Sequence, residues 1–106
     1  MEMVLVATND VKTPGRMAGS YQAAWRVTVG DKTGFVVHSF RYDKRDIMDE
    51  QVIVEENIAD AMKAEIDDEW WDPASDGFCD TGERVENNEM MDQALKAVTI
   101  TLYDVS

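Results

Sequence analysis

Tyr21, Ala23, Trp25, Val27 and Val29 alternate with Gln22, Ala24, Arg26 and Thr28, the period of two that a half-buried strand requires. Gly30-Asp31-Lys32-Thr33-Gly34 supplies the turn chemistry of a hairpin, and Phe35 to Tyr42 (FVVHSFRY) returns as its second strand. A shorter β-branched run, Met3 to Thr8, predicts another strand ended by Asn9-Asp10. Between the two lies Lys12 to Ser20, whose Thr13-Pro14-Gly15 and Gly19 predict a polar, mobile connection.

Beyond Asp43 the period lengthens. Val54, Ile58, Ala61, Met62, Ile66 and Trp70 recur at steps of three and four, which predicts a helix with one apolar face, while Glu55, Glu56, Asp60, Lys63 and Asp67 fall mostly on its other side. Asp46 and Asp49 are candidate caps of an earlier turn, and Val52-Ile53-Val54 fits either a short strand or the first helical turn. Pro73 is expected to end the helix, leaving Asp72 to Gly82 as a loop. Asn87 or Asn88 then caps a second helix carrying Met91, Ala94, Leu95 and Val98, and Val98, Ile100 and Leu102 alternate with Thr99, Thr101 and Tyr103 in a last strand. The expected fold is a single α+β domain over residues 1–106, an antiparallel sheet of about four strands with two helices packed on one face.

Composition sharpens the picture mainly through charge: 22 Asp and Glu stand against 10 Lys and Arg, a formal net charge of -12. The imbalance is local. Up to Tyr42 five bases (Lys12, Arg16, Arg26, Lys32, Arg41) outnumber Glu2, Asp10 and Asp31, whereas Asp46 to Asp92 holds 17 acids against Lys63 and Arg84. A field of this sign disfavours direct nucleic-acid binding, which relies on clustered Lys and Arg. The lone cysteine, Cys79, cannot form an internal disulfide or a Cys-rich zinc site, and His38 is the only histidine. No apolar run approaches the ~20 residues of a membrane span, and the first ten residues lack the basic start of a signal peptide, so a cytoplasmic protein is expected.

Like charges at helical spacing repel, and a compact domain far from neutrality is destabilised by its own field, so the acidic stretch points to a basic partner. Helix side chains about 5–6 Å apart approximate the spacing of successive phosphates, and meeting a basic groove releases counterions from both sides. The plain alternative is a solvated, solubilising face. Of the adjacent indoles Trp70 and Trp71 only one can easily face the core, leaving the other at the surface, as at a binding hot spot. The candidate partner-binding residues are Glu55, Glu56, Asp60, Asp67, Asp68, Glu69, Trp70, Trp71, Asp72 and Asp76.

Asp72 to Glu83 (DPASDGFCDTGE) resembles the twelve-residue calcium loop of the EF-hand family. Asp72, Asp76, Gly77, Asp80 and Glu83 match loop positions one, five, six, nine and twelve, and Phe78 would offer its carbonyl at seven. Ala74 departs from the pattern at position three, Pro73 and Cys79 are also foreign to it, and no second loop is present. An ordinary acidic loop is the simpler account, so no metal or cofactor is expected.

His38 lies in the Phe35–Tyr42 strand beside Val36 and Phe40, where a packing role is favoured over general-base chemistry. The sequence holds no nucleophile motif or glycine-rich phosphate loop, and enzymatic activity is not expected. Met62 and Met91 sit at core-like positions, with Met90 a candidate for exposure.

In charge, size and lack of catalytic signatures the chain is similar to the small acidic nucleic-acid mimics of phages and mobile elements that block restriction enzymes, CRISPR complexes or other DNA-binding proteins. That resemblance is compositional. It implies a non-catalytic inhibitor with a basic nucleic-acid-binding protein as partner. Two alternatives remain: a small phage or bacterial accessory protein acting in protein–protein assembly, and a degenerate EF-hand-like calcium-binding domain.

Overall fold

The predicted hairpin forms the centre of the molecule. In the computed structural model, which describes residues 1–66, 70–78 and 81–105, strands β2 (Ala18–Val29) and β3 (Lys32–Asp43) pair antiparallel without a break from Val29↔Lys32 to Ala18↔Asp43. Their turn is the two residues Gly30-Asp31, with Gly30 in the left-handed region at φ 62°. Strand β1 (Glu2–Lys12) pairs outside β2, so the predicted first strand runs four residues further than its β-branched core. The segment expected to be a loop contributes only residues 13–17 to the connection.

The fourth strand is a correction. Asp46 and Asp49 cap no helix: they belong to β4 (Asp46–Glu55), which pairs with β3 on one side and with β5 (Val98–Val105) on the other. The antiparallel sheet therefore has five strands rather than about four, in the sequential order β1-β2-β3-β4-β5. A bulge hid β4 from the sequence pattern. Between the pairs Ser39↔Gln51 and Arg41↔Met48, Asp49 and Glu50 oppose the single residue Phe40, and Asp49 takes a left-handed φ of 50°. The extra residue inverts the alternation, so Ile47 and Val52, of opposite parity, project from the same face.

Helix α1 (Glu56–Glu65) follows β4 directly and is shorter than its periodicity suggested. It closes with the Ile66 amide donating to the Met62 carbonyl, well before Pro73, which instead opens a short 3-10 turn, Pro73–Asp76. Helix α2 (Asn88–Ala97) begins as expected at Asn87, whose side chain accepts from the Met90 amide at 3.1 Å.

The two helices do not share a face, contrary to expectation. Ile58, Ala59 and Met62 of α1 join Tyr21, Ala23, Trp25, Val27, Val36, Val52, Val54 and Phe78 in one core cluster. Met91 and Ala94 of α2 join Ala7, Ala24, Phe35 and Val37 in another. Val36 and Val37 are chain neighbours and must point to opposite sides of a strand, so the sheet is sandwiched between the helices. The intervening chain passes round the β1 edge, where Val85 exchanges hydrogen bonds with Thr8: the Thr8 amide donates to the Val85 carbonyl (2.8 Å) and the Val85 amide to the Thr8 hydroxyl (2.9 Å). This detour carries α2 beneath the sheet and also occupies an otherwise open edge. Fully buried Ile58, Met62 and Phe78 each contribute about 1.5–3 kcal/mol by leaving water. Met91 and Met62 are core residues as expected, and Met90 is half-buried against the second cluster.

A ten-residue helix is about 15 Å long, whereas the twelve-residue strands span about 40 Å. Ile58 lies against Gly34 at the start of β3, and the amino terminus meets Glu65 at 3.7 Å, so α1 covers the end of the sheet near the β2–β3 turn. The opposite end, with the β1–β2 and β3–β4 turns, projects beyond it.

Candidate functional site

Of the ten residues expected to contact a partner, the seven that the structure describes divide into two groups. Glu56 and Asp60 lie one turn apart on the solvent face of α1, with no ion-pair partner among the described residues, and Trp70 is 83% exposed. Glu55, Trp71, Asp72 and Asp76 serve the fold wholly or in part. Glu55 accepts from the Phe35 amide at 2.9 Å and thereby ties the end of β4 to β3. Trp71 packs edge-on against Phe78 and Tyr103, with centroids 6.5 and 5.5 Å away, and its indole N–H donates to Asp76. Asp72 is exposed but caps the 3-10 turn by accepting from the Ala74 amide at 3.0 Å. Asp67, Asp68 and Glu69 lie outside the described residues. One of the two adjacent indoles thus faces inward and the other outward, as their adjacency required.

The same bonds bear on the calcium-loop resemblance. Asp72 and Asp76 direct their carboxylates to the Ala74 amide and the Trp71 indole rather than toward one point, and Phe78 is buried in the first core cluster. Among the described residues no three carboxylate, histidine or cysteine groups converge as metal ligands, and Asp80 lies outside them.

His38 is 2% exposed, and its Nε2 lies 2.8 Å from Glu50 Oε1. The Asp49 bulge places that carboxylate on the His38 side of β4. Burial lowers the His38 pKa from 6.5, opposed by the hydrogen bond and charge of Glu50. The other ring nitrogen, Nδ1, has no hydrogen-bond partner among the described residues. Burial and the charges of Glu50 and Asp72 raise the Tyr103 pKa. The imidazole is enclosed, which agrees with the packing role assigned to it.

A second surface escaped the sequence analysis. At the projecting end of the sheet, Lys12, Gly19, Tyr42 and Ile47 face one another in a single cross-strand row and so share a face. Lys12, Tyr42 and Ile47 line a cleft of about 300 Å³ together with Asp10, Phe40, Lys44, Arg45 and Arg84. Asp10 is held by the Tyr42 hydroxyl (3.0 Å) and by Arg84 (3.1 Å), whose guanidinium lies 5.2 Å from the Tyr21 ring centre. Lys44-Arg45 forms the two-residue β3–β4 turn, and Lys44 occupies the left-handed region at φ 57°, which costs an L-residue about 1–2 kcal/mol. Hairpins usually place glycine or asparagine there. The Lys44 amide also donates to the Met17 carbonyl at 2.6 Å, joining the two turns. The available signals were the excess of bases before Tyr42 and the sequence Asp43-Lys44-Arg45-Asp46, but only pairing in register assembles them. Comparison with protein families, with curated proteins and with solved structures returns no match.

Proposed function

We propose that the protein is a non-catalytic inhibitor that presents the acidic α1 end of its sheet to the basic nucleic-acid site of a DNA- or RNA-binding protein, as phage and mobile-element antagonists of restriction and CRISPR complexes do. One observation carries this reading. Glu56 and Asp60 point outward without ion-pair partners among the described residues, close in sequence to an 83%-exposed Trp70, at the end of the sheet remote from the Lys44-Arg45 turn. Acids set at helical spacing supply the charge of a phosphate row, counterion release supplies the driving force, and the exposed indole supplies an apolar anchor. The Asp67-Asp68-Glu69 segment between α1 and Trp70 continues the acidic sequence.

The test is capture on the tagged protein from nuclease-treated host lysate, washed at low and high salt, beside a variant with Glu56, Asp60, Asp67 and Asp68 changed to Lys. A nucleic-acid-binding complex that is retained at low salt, leaves at high salt and is lost from the folded variant supports the proposal. Retention by the variant, or a partner that resists salt and is lost with Trp70→Ala alone, overturns it and favours apolar protein–protein assembly.

A further inference from the structure

The geometry points to a binding site for a small organic phosphate in the cleft at the projecting end of the sheet, with its anionic group held by Lys12, Lys44 and Arg45 and its organic portion laid against Tyr42 and Ile47. This site is independent of the acidic end and of the function proposed for it.

Four of the ten basic residues, Lys12, Arg16, Lys44 and Arg45, gather on the β1–β2 and β3–β4 connections, and none has an ion-pair partner among the described residues. The nearby acids do not neutralise them. Asp10 is already bonded to Tyr42 and Arg84, and strand alternation turns the cross-strand pair Asp43 and Asp46 away from the face that carries Tyr42. Gathering unpaired cations is unfavourable in itself, and here the backbone is also strained to do it, since Lys44 stands where glycine is the unstrained choice. Lys12, Arg16, Met17, Tyr42 and Lys44 line a further hollow beside the first, so the cationic surface continues on that side of the turn, while Asp43 lines a separate hollow with Gly15, Arg16, Met17 and Lys44.

The cleft also has an apolar side. Ile47 is 58% exposed, and its direct pairing with Tyr42, one step from the Lys44-Arg45 turn, sets it on the Tyr42 face of the sheet. A bare inorganic anion would leave that side unused. A long nucleic acid is disfavoured for the opposite reason: it would leave the basic end and run along a molecule 45 Å long with a net charge of -12. A small ligand stays within a few Debye lengths of the cations, where ~10 Å of screening at 0.1 M salt removes most of the distant repulsion.

ADP is the probe, added without metal to the full ¹⁵N-labelled chain and followed by amide shifts, with pyrophosphate and a single-stranded oligonucleotide as parallel arms. Saturable shifts at Lys12, Gly19, Tyr42, Lys44, Arg45 and Ile47 are expected. Lys44→Glu with Arg45→Glu should weaken binding about tenfold or more, as lost charge-assisted contacts do. Lys12→Gln should weaken it too and serves if the double variant loses its dispersed spectrum. Glu56→Lys with Asp60→Lys, which disables the proposed acidic surface, should leave ADP binding within about twofold. Absence of saturation by about 10 mM ADP overturns the site. Equal affinity for pyrophosphate overturns the role of Tyr42 and Ile47, and tighter binding of the oligonucleotide overturns the restriction to small ligands.

Discussion

Tyr42 reaches over the backbone of Gly19 to donate its hydroxyl to Asp10 at 3.0 Å, joining β3 to β1 across the strand between them. The contact needs a residue without a side chain: a Cβ on Gly19 would stand 2.5 Å from the Val11 carbonyl oxygen and 2.7 Å from the Tyr42 hydroxyl. The first neighbour is backbone and cannot swing away. Gly19→Ala is therefore expected to cost about 1–3 kcal/mol in urea unfolding, the range for overpacking. Tyr42→Phe should cost about 1 kcal/mol, because Arg84 still holds the carboxylate. Wild-type stability in Gly19→Ala would show that the ring does not lie over this backbone.

Lys44→Gly should stabilise the protein by about 1 kcal/mol, since glycine adopts the left-handed turn conformation without the Cβ penalty. The same change should weaken ADP binding. Gain of stability with loss of affinity is the expected pairing when a strained residue is kept for use. Denaturant midpoints and ADP titration of one variant measure both, and a destabilised Lys44→Gly would refute the strained turn.

His38 sets a pH dependence of stability. Its folded pKa lies below 6.5, so between the folded and unfolded values the unfolded chain binds more protons and stability rises with pH. The contribution of the neutral imidazole is complete above about 6.5 and is lost as pH falls toward the folded value. His38→Gln should flatten the decline of the urea midpoint between about pH 6.5 and 5 relative to wild type. The ring should titrate in NMR below 6.5. A midpoint above that value would mean that Glu50 outweighs burial.

Trp70 and Trp71 should separate binding from stability. Trp70→Ala is expected to change stability by no more than about 0.5 kcal/mol, as for other exposed positions, while weakening capture of the partner. Trp71→Ala removes the ring packed between Phe78 and Tyr103 and should cost about 2 kcal/mol or more. Equal stability losses would contradict the opposed orientations.

Much of this architecture is legible locally. The β2–β3 hairpin follows from alternation around Gly30-Asp31, the α2 start from Asn87, the last strand from its β-branched alternation, and the buried face of α1 from Ile58 and Met62. The division of labour between Trp70 and Trp71 also follows, because two adjacent side chains rarely fit one core. These features depend on neighbours along the chain, where steric preference and hydrophobic period act.

Other features depend on which strands meet. β4 was legible only as an ambiguous Val52-Ile53-Val54, because the Asp49 bulge breaks its alternation, and only pairing on both sides makes the whole segment a strand. Glu55 looked like part of an acidic surface until the Phe35 amide claimed its carboxylate. Placement of the helices on opposite faces was invisible, since either face of a sheet offers apolar side chains; the route of the chain past Thr8 and Val85 decided it. The basic cleft has the same origin. Lys12 is far in sequence from Tyr42 and Ile47, and strand register alone brings the three to one face. By itself the sequence determined the regularly alternating strands, the Asn87 cap of α2 and the amount and sign of the charge, because these follow from local sterics and composition. Which charges stand together, and which are consumed in holding strands, was decided by the tertiary structure, because Coulomb and hydrogen-bond energies depend on distances that only the folded sheet defines.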